Sequence, residues 1–504
     1  DQPLVAETDT LGRFRFEDVR PGRYALTARL LGYRPLTVPE LLVGSGKEVV
    51  LDLLLEPGTD TLAEVVVRAP LAAPMSTCIL PVVTIEQTFR FPATFYDPAR
   101  LAIQFPAMIT WNDQGNLLVA RGNSPNQNAW LLEGVPIVNP NHTPNAGTFT
   151  DQVTLSGGGV NMLSAQMLGT STFYVGAPPA AVGDATGALL DMRLRRGNDR
   201  QTEGTFQLSL IGIDLAGEGP FGKKERAARP SWLANYRYST VGLLTALGMD
   251  FGGEAISFQD LAAAIDLPTD KGHWKVFALA GTSSNVFHGQ PADSLREEAK
   301  DRLDIDFGSQ VAAFGVSHHT TLPDGQVWKT TVVQSLLRSN WQAAFVDDGA
   351  FFGSEKLAQT WTAFRTALSG ARSDALRWSA GLAGRYLDES DDFHFAERQQ
   401  QGAGRMAGLW LNPWLQLDRT SGRWHLRLGL RGHYFSWNGS RSLDPRLETR
   451  YRLSANDALY SSWGFYSQLH AVRVYATATD HDGQLLNRDL PLLRSQQATL
   501  GWEH

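Results

Sequence analysis

Arg423-Trp-His-Leu-Arg-Leu-Gly-Leu-Arg-Gly-His-Tyr-Phe435 alternates side-chain character with a period of two. Trp424, Leu426, Leu428, Leu430 and Tyr434 fall on one face of an extended chain, and Arg423, His425, Arg427, Arg431 and His433 on the other. Turning the basic face to lipid would cost roughly 2 to 4 kcal/mol for each Arg near a bilayer midplane, whereas the apolar face loses nothing there. The pattern therefore predicts a strand in the wall of a membrane β-barrel, with the five basic residues lumen-facing. Ser231 to Ser239 repeats it, opposing Trp232, Ala234, Tyr236 and Tyr238 to Asn235, Arg237 and Ser239. Near Ile211 the apolar phase flips, which predicts a tight hairpin between two further strands.

Working outward, short connections are expected at 222–230, 268–272, 323–325, 370–374, 418–422 and 454–457. Long polar loops are expected between them, at 240–256, 282–305, 338–356, 388–406, 436–444 and 469–493. Short turns on one side and long loops on the other are the habit of an outer-membrane barrel. About 14 strands are expected after residue 200. The composition agrees: Gly 48 and Pro 25 mark many turns, charged residues make up only 19%, and aromatics 10%. The net charge of −7 without a basic block excludes a nucleic-acid binder. A single cysteine, Cys78, excludes an intrachain disulfide. No apolar run is long enough for a membrane helix, a test to which barrels are blind.

The N-terminal part divides differently. Asp9-Thr-Leu-Gly-Arg-Phe-Arg-Phe16, Pro21-Gly-Arg-Tyr24 with the run to Ala28, Gly32-Tyr33, and Glu48 to Leu55 read as short strands between Gly and Pro breakers. Their spacing resembles the carboxypeptidase regulatory-like module, a small β-sandwich. Leu62-Ala-Glu-Val-Val-Val-Arg68 is a β-branched run isolated by breakers. It is either the last strand of the sandwich or a segment that adds itself to another protein's sheet edge.

Phe91-Pro92, Tyr96-Asp-Pro-Ala-Arg100, Gln104-Phe-Pro106, Ala120-Arg-Gly-Asn-Ser-Pro125, Trp130-Leu-Leu-Glu-Gly-Val-Pro-Ile137 and Asn139-Pro-Asn-His142 resemble the plug domain of TonB-dependent outer-membrane transporters, in order and spacing. Tyr174-Val-Gly176, Gly183 and Gly187 to Arg193 resemble its closing strands. Two departures are Ala120, where Val or Ile usually precedes Arg-Gly, and Ala107, where Gly usually follows Phe-Pro.

The resemblance implies a mainly β chain with four parts: a small β-sandwich at 1–57, a linker at 58–80, a mixed α/β plug at 81–200, and part of a large antiparallel transmembrane β-barrel at 201–504. The family's barrels have about 22 strands, so roughly eight more are expected beyond His504, and because regulatory-like modules begin one or two strands earlier, at least one strand is expected before Asp1. It further implies TonB-dependent uptake of a bulky solute across the outer membrane of a Gram-negative bacterium. TonB would contact Leu62, Glu64, Val65, Val66, Val67 and Arg68, and the transported ligand is unknown. Asn123, Asn126, Gln127 and Asn128, with Asn139, Asn141 and His142, would form ligand-facing plug loops. The basic stripe would pair with plug carboxylates such as Asp151 or Asp184, or attract an anionic solute. The rival is a secreted or surface-exposed β protein that binds carbohydrate or peptide without transport.

Nothing in the residue patterns points to an enzyme, a cofactor or a metal. Gly217-Glu-Gly-Pro-Phe-Gly-Lys-Lys224 mimics a phosphate loop, but Lys224 stands where Ser or Thr is needed and no apolar helix follows. Asp388, Ser390 and Asp392 have calcium-loop spacing, yet Phe393 replaces the turn Gly. His318 and His319 are strand neighbours whose rings point to opposite faces.

Overall fold

The structure is a computed structural model. It describes all residues except 1–3, 10–11, 31–35, 45–47, 52, 54–78, 84–87, 89–90, 92–93, 95, 105, 111–114, 147–152, 170, 210–211, 223–228, 240–253, 374, 397–398, 455–456 and 480–482. Leu62 to Arg68, Cys78 and Asp151 lie outside the described residues.

Period-two alternation from residue 203 onward builds one 14-stranded antiparallel sheet, in which every strand pairs with its sequence neighbours. Numbered after eleven earlier strands, its members are β12 (Glu203–Leu208), β13 (Ile213–Pro220), β14 (Ser231–Tyr238), β15 (Glu254–Thr269), β16 (Gly272–Phe287), β17 (Leu303–Thr321) and β18 (Val327–Phe345). They continue with β19 (Phe351–Ser373), β20 (Leu376–Phe395), β21 (Gln400–Ser421), β22 (Trp424–Phe435), β23 (Arg441–Arg452), β24 (Ala458–Gln468) and β25 (Leu493–Glu503). No pairing joins β12 to β25 among the described residues, so the sheet is an open wall. The hairpin expected near Ile211 joins β12 to β13, with Leu208 opposite Ile213. The first half of the phosphate-loop mimic is strand: Gly217 to Pro220 belong to β13.

One face of the wall is apolar and exposed. Leu261, Ile265, Phe314, Val332, Leu336, Leu415, Leu428 and Leu430 point outward. Trp274, Trp328, Trp424 and Trp502 lie toward the short-turn ends of their strands on that same outward face. The opposite face is buried and largely polar, including Asp214, Glu218, Asn235, Asp260, Gln359, Glu389 and Asp444. Among the described residues no helix is long and apolar enough to cross a membrane.

The loop asymmetry differs from expectation. Strands β17 to β21 run for 19, 19, 23, 20 and 22 residues, about twice the 9 to 11 needed to cross a bilayer. The stretches expected as long loops at 338–356 and 388–406 are instead the paired ends of these strands, closed by short turns. The alternation simply continues past the apolar belt: Ile305 and Phe307 stay buried while Asp304 and Asp306 face out, so the ladder continues too. The Asp388, Ser390 and Asp392 spacing falls inside β20 and forms no loop.

Residues 79–200 sit against the polar face. Their five-stranded sheet has the order β3 (Ile79–Val83), β10 (Ser171–Tyr174), β11 (Leu189–Met192), β6 (Ala129–Leu132), β7 (Val135–Ile137), and β11 runs parallel to β6. Two small ladders, β4 (Met108–Thr110) with β5 (Leu118–Ala120) and β8 (Asn141–His142) with β9 (Val160–Asn161), complete the described sheets of this unit. One core cluster joins Leu101, Trp130, Leu132, Leu163 and Leu190 of this unit to Leu233, Phe277, Val333 and Trp410 of the wall.

Near the N-terminus two strands are described, β1 (Gly22–Ala28) and β2 (Leu36–Val43), paired antiparallel. The strands expected at Asp9 to Phe16 and Glu48 to Leu55 are absent among the described residues. Asp9 instead closes a turn with Gly12. Phe14 and Phe16 stack edge to face at 6.2 Å with no ladder partner, and Glu48 accepts from Asn198 at 3.0 Å.

Candidate functional site: the plug and barrel interface

The plug is held to the wall by separate contacts built on different chemistry. Glu133 and Gly134 join β6 to β7, with φ of 52° and 82°. Two successive positive φ values make the two-residue turn that suits a right-twisted hairpin, and they carry the Glu133 carboxylate to the wall. There Oε1 lies 3.3 Å from Lys275 Nζ, and Oε2 lies 3.7 Å from Lys329 Nζ and 3.6 Å from Arg193 Nη1. The Leu194 amide donates to Oε1 at 2.9 Å. Burial works to raise the pKa of this carboxyl, but Lys275, Lys329, Arg193 and the Leu194 amide outweigh it and bring it down to about 2. A Cβ on Gly134 would meet the Arg193 guanidinium at 2.8 Å, which accounts for the glycine.

On the β13 to β15 side, Arg195 forms a two-pronged pair with Glu218 at 2.6 and 2.7 Å. Ser164 donates to Asp214 at 2.6 Å. His142 Nε2 lies 2.8 Å from Asp260, which also accepts from Arg237, while Arg237 donates to the Asn161 carbonyl at 2.6 Å. Burial lowers the His142 pKa against the pull of Asp260, and the ring donates from Nε2 to the carboxylate.

The third contact is a strap, residues 177–184, laid along β22 and β23. Arg446 Nη1 lies 2.9, 2.7 and 2.6 Å from the carbonyl oxygens of Pro178, Pro179 and Val182. Arg431 reaches the Ala180 carbonyl and the Asp184 carboxylate, both at 3.2 Å. Trp410 Nε1 donates to Asp184 at 3.1 Å. Burial favours the neutral Asp184 acid, yet Arg431 and Arg385 hold the carboxyl below its usual range. Gly183 leaves room for the guanidinium, since a Cβ there would meet Arg431 Nε at 2.6 Å.

Of the basic stripe, Arg431 is the residue that binds the strap, through Ala180 and Asp184. Arg427 is bound sideways to Asp418 at 2.6 Å and Glu448 at 3.1 Å on neighbouring strands. His433 is buried against Asn412 and Asp444, and His425 meets Thr420. Arg423 lies in the exposed turn before β22, where Gly422 adopts φ of 56°. The expectation of a lumen position for Arg423 is therefore corrected: the two-residue turn consumes it.

The plug-loop residues also separate. Asn126 is exposed, Asn123 and Gln127 half-buried; this loop meets the wall at Gln468, the end of β24 on the long-loop side. Asn128, Asn139, Asn141 and His142 are at most 6% exposed, which corrects the ligand-facing assignment for these four. Asn128 bonds the Leu118 carbonyl and the Ala188 amide. Asn139 bonds the Gly157 carbonyl and the Asn141 side chain.

Sequence reasoning missed two elements. Glu133 was visible as a Glu-Gly pair between apolar runs, a two-residue hairpin signal. The helix α1 (Val472–Ala476), between β24 and β25, turns Val472 and Tyr475 into the core and pairs Arg473 with Glu355 at 2.6 Å and Asp391 at 2.7 Å on the wall. Five residues in a polar stretch carry too little periodicity to announce it.

Residues 2–56 match the carboxypeptidase regulatory-like domain. No curated protein matches the chain. Among solved structures, the chain is similar to a mutant of the ferric enterobactin receptor PfeA from Pseudomonas aeruginosa, with TM-score 0.61 and 12% identity over 84% of this chain and 68% of that one. It is also similar to the siderophore receptor PirA from Acinetobacter baumannii (0.58, 15%, 85% and 68%) and to the outer membrane transporter YddB from Escherichia coli (0.59, 14%, 84% and 67%). The fold is thus that of the plugged TonB-dependent outer-membrane receptors, with a segment in front that matches the carboxypeptidase regulatory-like domain.

Proposed function

We propose that this chain works as a TonB-dependent transporter in the outer membrane of a Gram-negative bacterium, moving a bulky solute inward past its plug. One observation carries this: an outward face of exposed apolar residues encloses a polar interior in which a separate folded unit is anchored. A soluble carbohydrate- or peptide-binding protein has no reason to expose that belt. A wide barrel leaks unless it is occluded, and the outer membrane holds no energy source, so work must arrive through a periplasmic partner. Leu62 to Arg68 is the segment assigned to TonB, and Asn123, Asn126 and Gln127 are assigned to the ligand side. The siderophore receptors among the similar structures make an iron chelate the first solute to test.

Deleting Leu62 to Arg68 in the full-length protein tests the reading, with a radiolabelled ferric catecholate as probe. Uptake should cease, and capture by a TonB periplasmic domain should be lost, while surface binding persists. Retained capture by TonB would refute the segment's role.

A further inference from the structure

The wall has a cavity of about 980 Å³ whose lining includes no residue of the plug. Its lining includes Gln310, Arg338, Asn340, Lys356 and Ser284, whose exposed side chains belong to the outward parity of β16 to β19. The inward positions between them, Ser283, Ser309, Ser339 and Leu357, are buried. The cavity therefore opens on the outside of the barrel.

Its height follows from the register. Thr282, Gln310, Arg338 and Ala358 form one cross-strand row, and Ser284, Gly308, Asn340, Lys356 and Asp392 form the next row on that face, farther from the short turns. The row on the near side is Leu261, Ala280, Ala312 and Leu336, where the apolar belt begins. The groove thus sits on the shoulder of the belt, on the side of the long loops.

Arg338 and Lys356 are diagonal neighbours on adjacent strands, since Arg338 faces Ala358 and Asn340 faces Lys356. Such positions lie about 7 to 8 Å apart, within reach of one ligand for two long side chains. Neither has an ion-pair or hydrogen-bond partner among the described residues. Asp392 stands opposite Lys356 in register but forms no ion pair with it. The contrast is Arg405, outward on β21, which is clamped by Asp388 through two hydrogen bonds. Two cations thus face a single carboxylate that binds neither, and an anion carried between Arg338 and Lys356 offsets the remaining positive charge.

We propose that this groove docks the phosphorylated headgroup of an outer-leaflet lipid, with Arg338 and Lys356 on the phosphate and the acyl chains lying over Leu261, Phe314 and Leu336. The proposal rests on the membrane placement argued under Proposed function. Asn340, Gln310 and Ser284 supply neutral hydrogen-bonding groups around the phosphate, and Gly308, with no atom within 4 Å of a built Cβ, leaves its floor open.

The test is native mass spectrometry of the full-length protein extracted from membranes in non-ionic detergent. It is titrated with a diphosphorylated glucosamine lipid, with its dephosphorylated counterpart, and with inorganic phosphate as competitor. Wild type should prefer the phosphorylated lipid. Combined Arg338→Gln and Lys356→Gln should weaken that binding about tenfold or more, and Arg405→Gln should not. These positions are exposed, and heat-dependent electrophoretic mobility checks that each variant keeps a folded barrel. Equal binding of both lipids, or an unchanged double variant, would overturn the proposal. Full displacement by millimolar phosphate would make this an anion site without a lipid. Recovery of the protein without detergent would instead refute the membrane placement itself.

Discussion

The Glu133 contact and the strap at 177–184 both fasten the plug to cations, but with opposite economy of parts. At Glu133 one plug carboxylate gathers Lys275, Lys329 and Arg193. Along the strap, Arg446 donates to three main-chain carbonyls, and Arg431 to one carbonyl and the Asp184 carboxylate. A latch made from one side chain can be opened by one plug substitution. A cradle made from backbone cannot, and only a change on the wall weakens it.

Glu133→Gln should have the largest effect, because it removes the one plug carboxylate that Lys275, Lys329 and Arg193 share while Lys275 stays buried. A loss of about 3 to 5 kcal/mol in plug docking is expected, read by denaturant unfolding and by protease sensitivity of the plug. A loss below about 1 kcal/mol would mean that the latch is not the dominant fastener. Arg446→Gln should cost less, about 1.5 to 3 kcal/mol, as carbonyls exchange a charged donor for a neutral one. The same change on the plug side, Pro178→Ala, should leave docking nearly intact because the carbonyl remains.

Acid should separate the two regions. The folded pKa of Glu133 is depressed from 4.5 to about 2. Its contribution is therefore fully present above pH 4.5 and is lost as pH falls through about 2. Hydrogen exchange at the Gly134 and Leu194 amides should accelerate within that window before exchange at the Ala180 and Val182 amides does. Simultaneous release, or release of the strap first, would contradict the difference drawn between them. The smallest effect is expected at the exposed turn: Arg423→Gln should change stability by no more than about 0.5 kcal/mol in thermal melts.

The alternation of β22 was legible because lipid and lumen impose opposite demands on successive side chains, and Arg431 and Asp184 were both visible as members of one pairing. The sideways binding of Arg427 was not, because Asp418 and Glu448 become its neighbours only through the register of β21 to β23. The tall hairpins were hidden for a related reason. Above the belt neither face needs to be apolar, so a polar paired strand and a polar loop have the same composition. Asn139 and Asn141 look like loop asparagines in sequence, and their burial is decided by the close approach of 156–158, which no local pattern records.

Spin labels placed singly at Leu336, Leu415 and Leu428, and at Ser339 as the inward control, test most directly whether the exposed apolar face meets lipid. The labels go into the full-length protein in its native outer membrane, with Cys78 replaced by Ser. The account predicts that relaxation by oxygen exceeds relaxation by a water-soluble nickel chelate at the three leucine sites but not at Ser339. Dominance of the nickel chelate at Leu336, Leu415 and Leu428 would show those faces in water and would contradict a membrane-spanning wall.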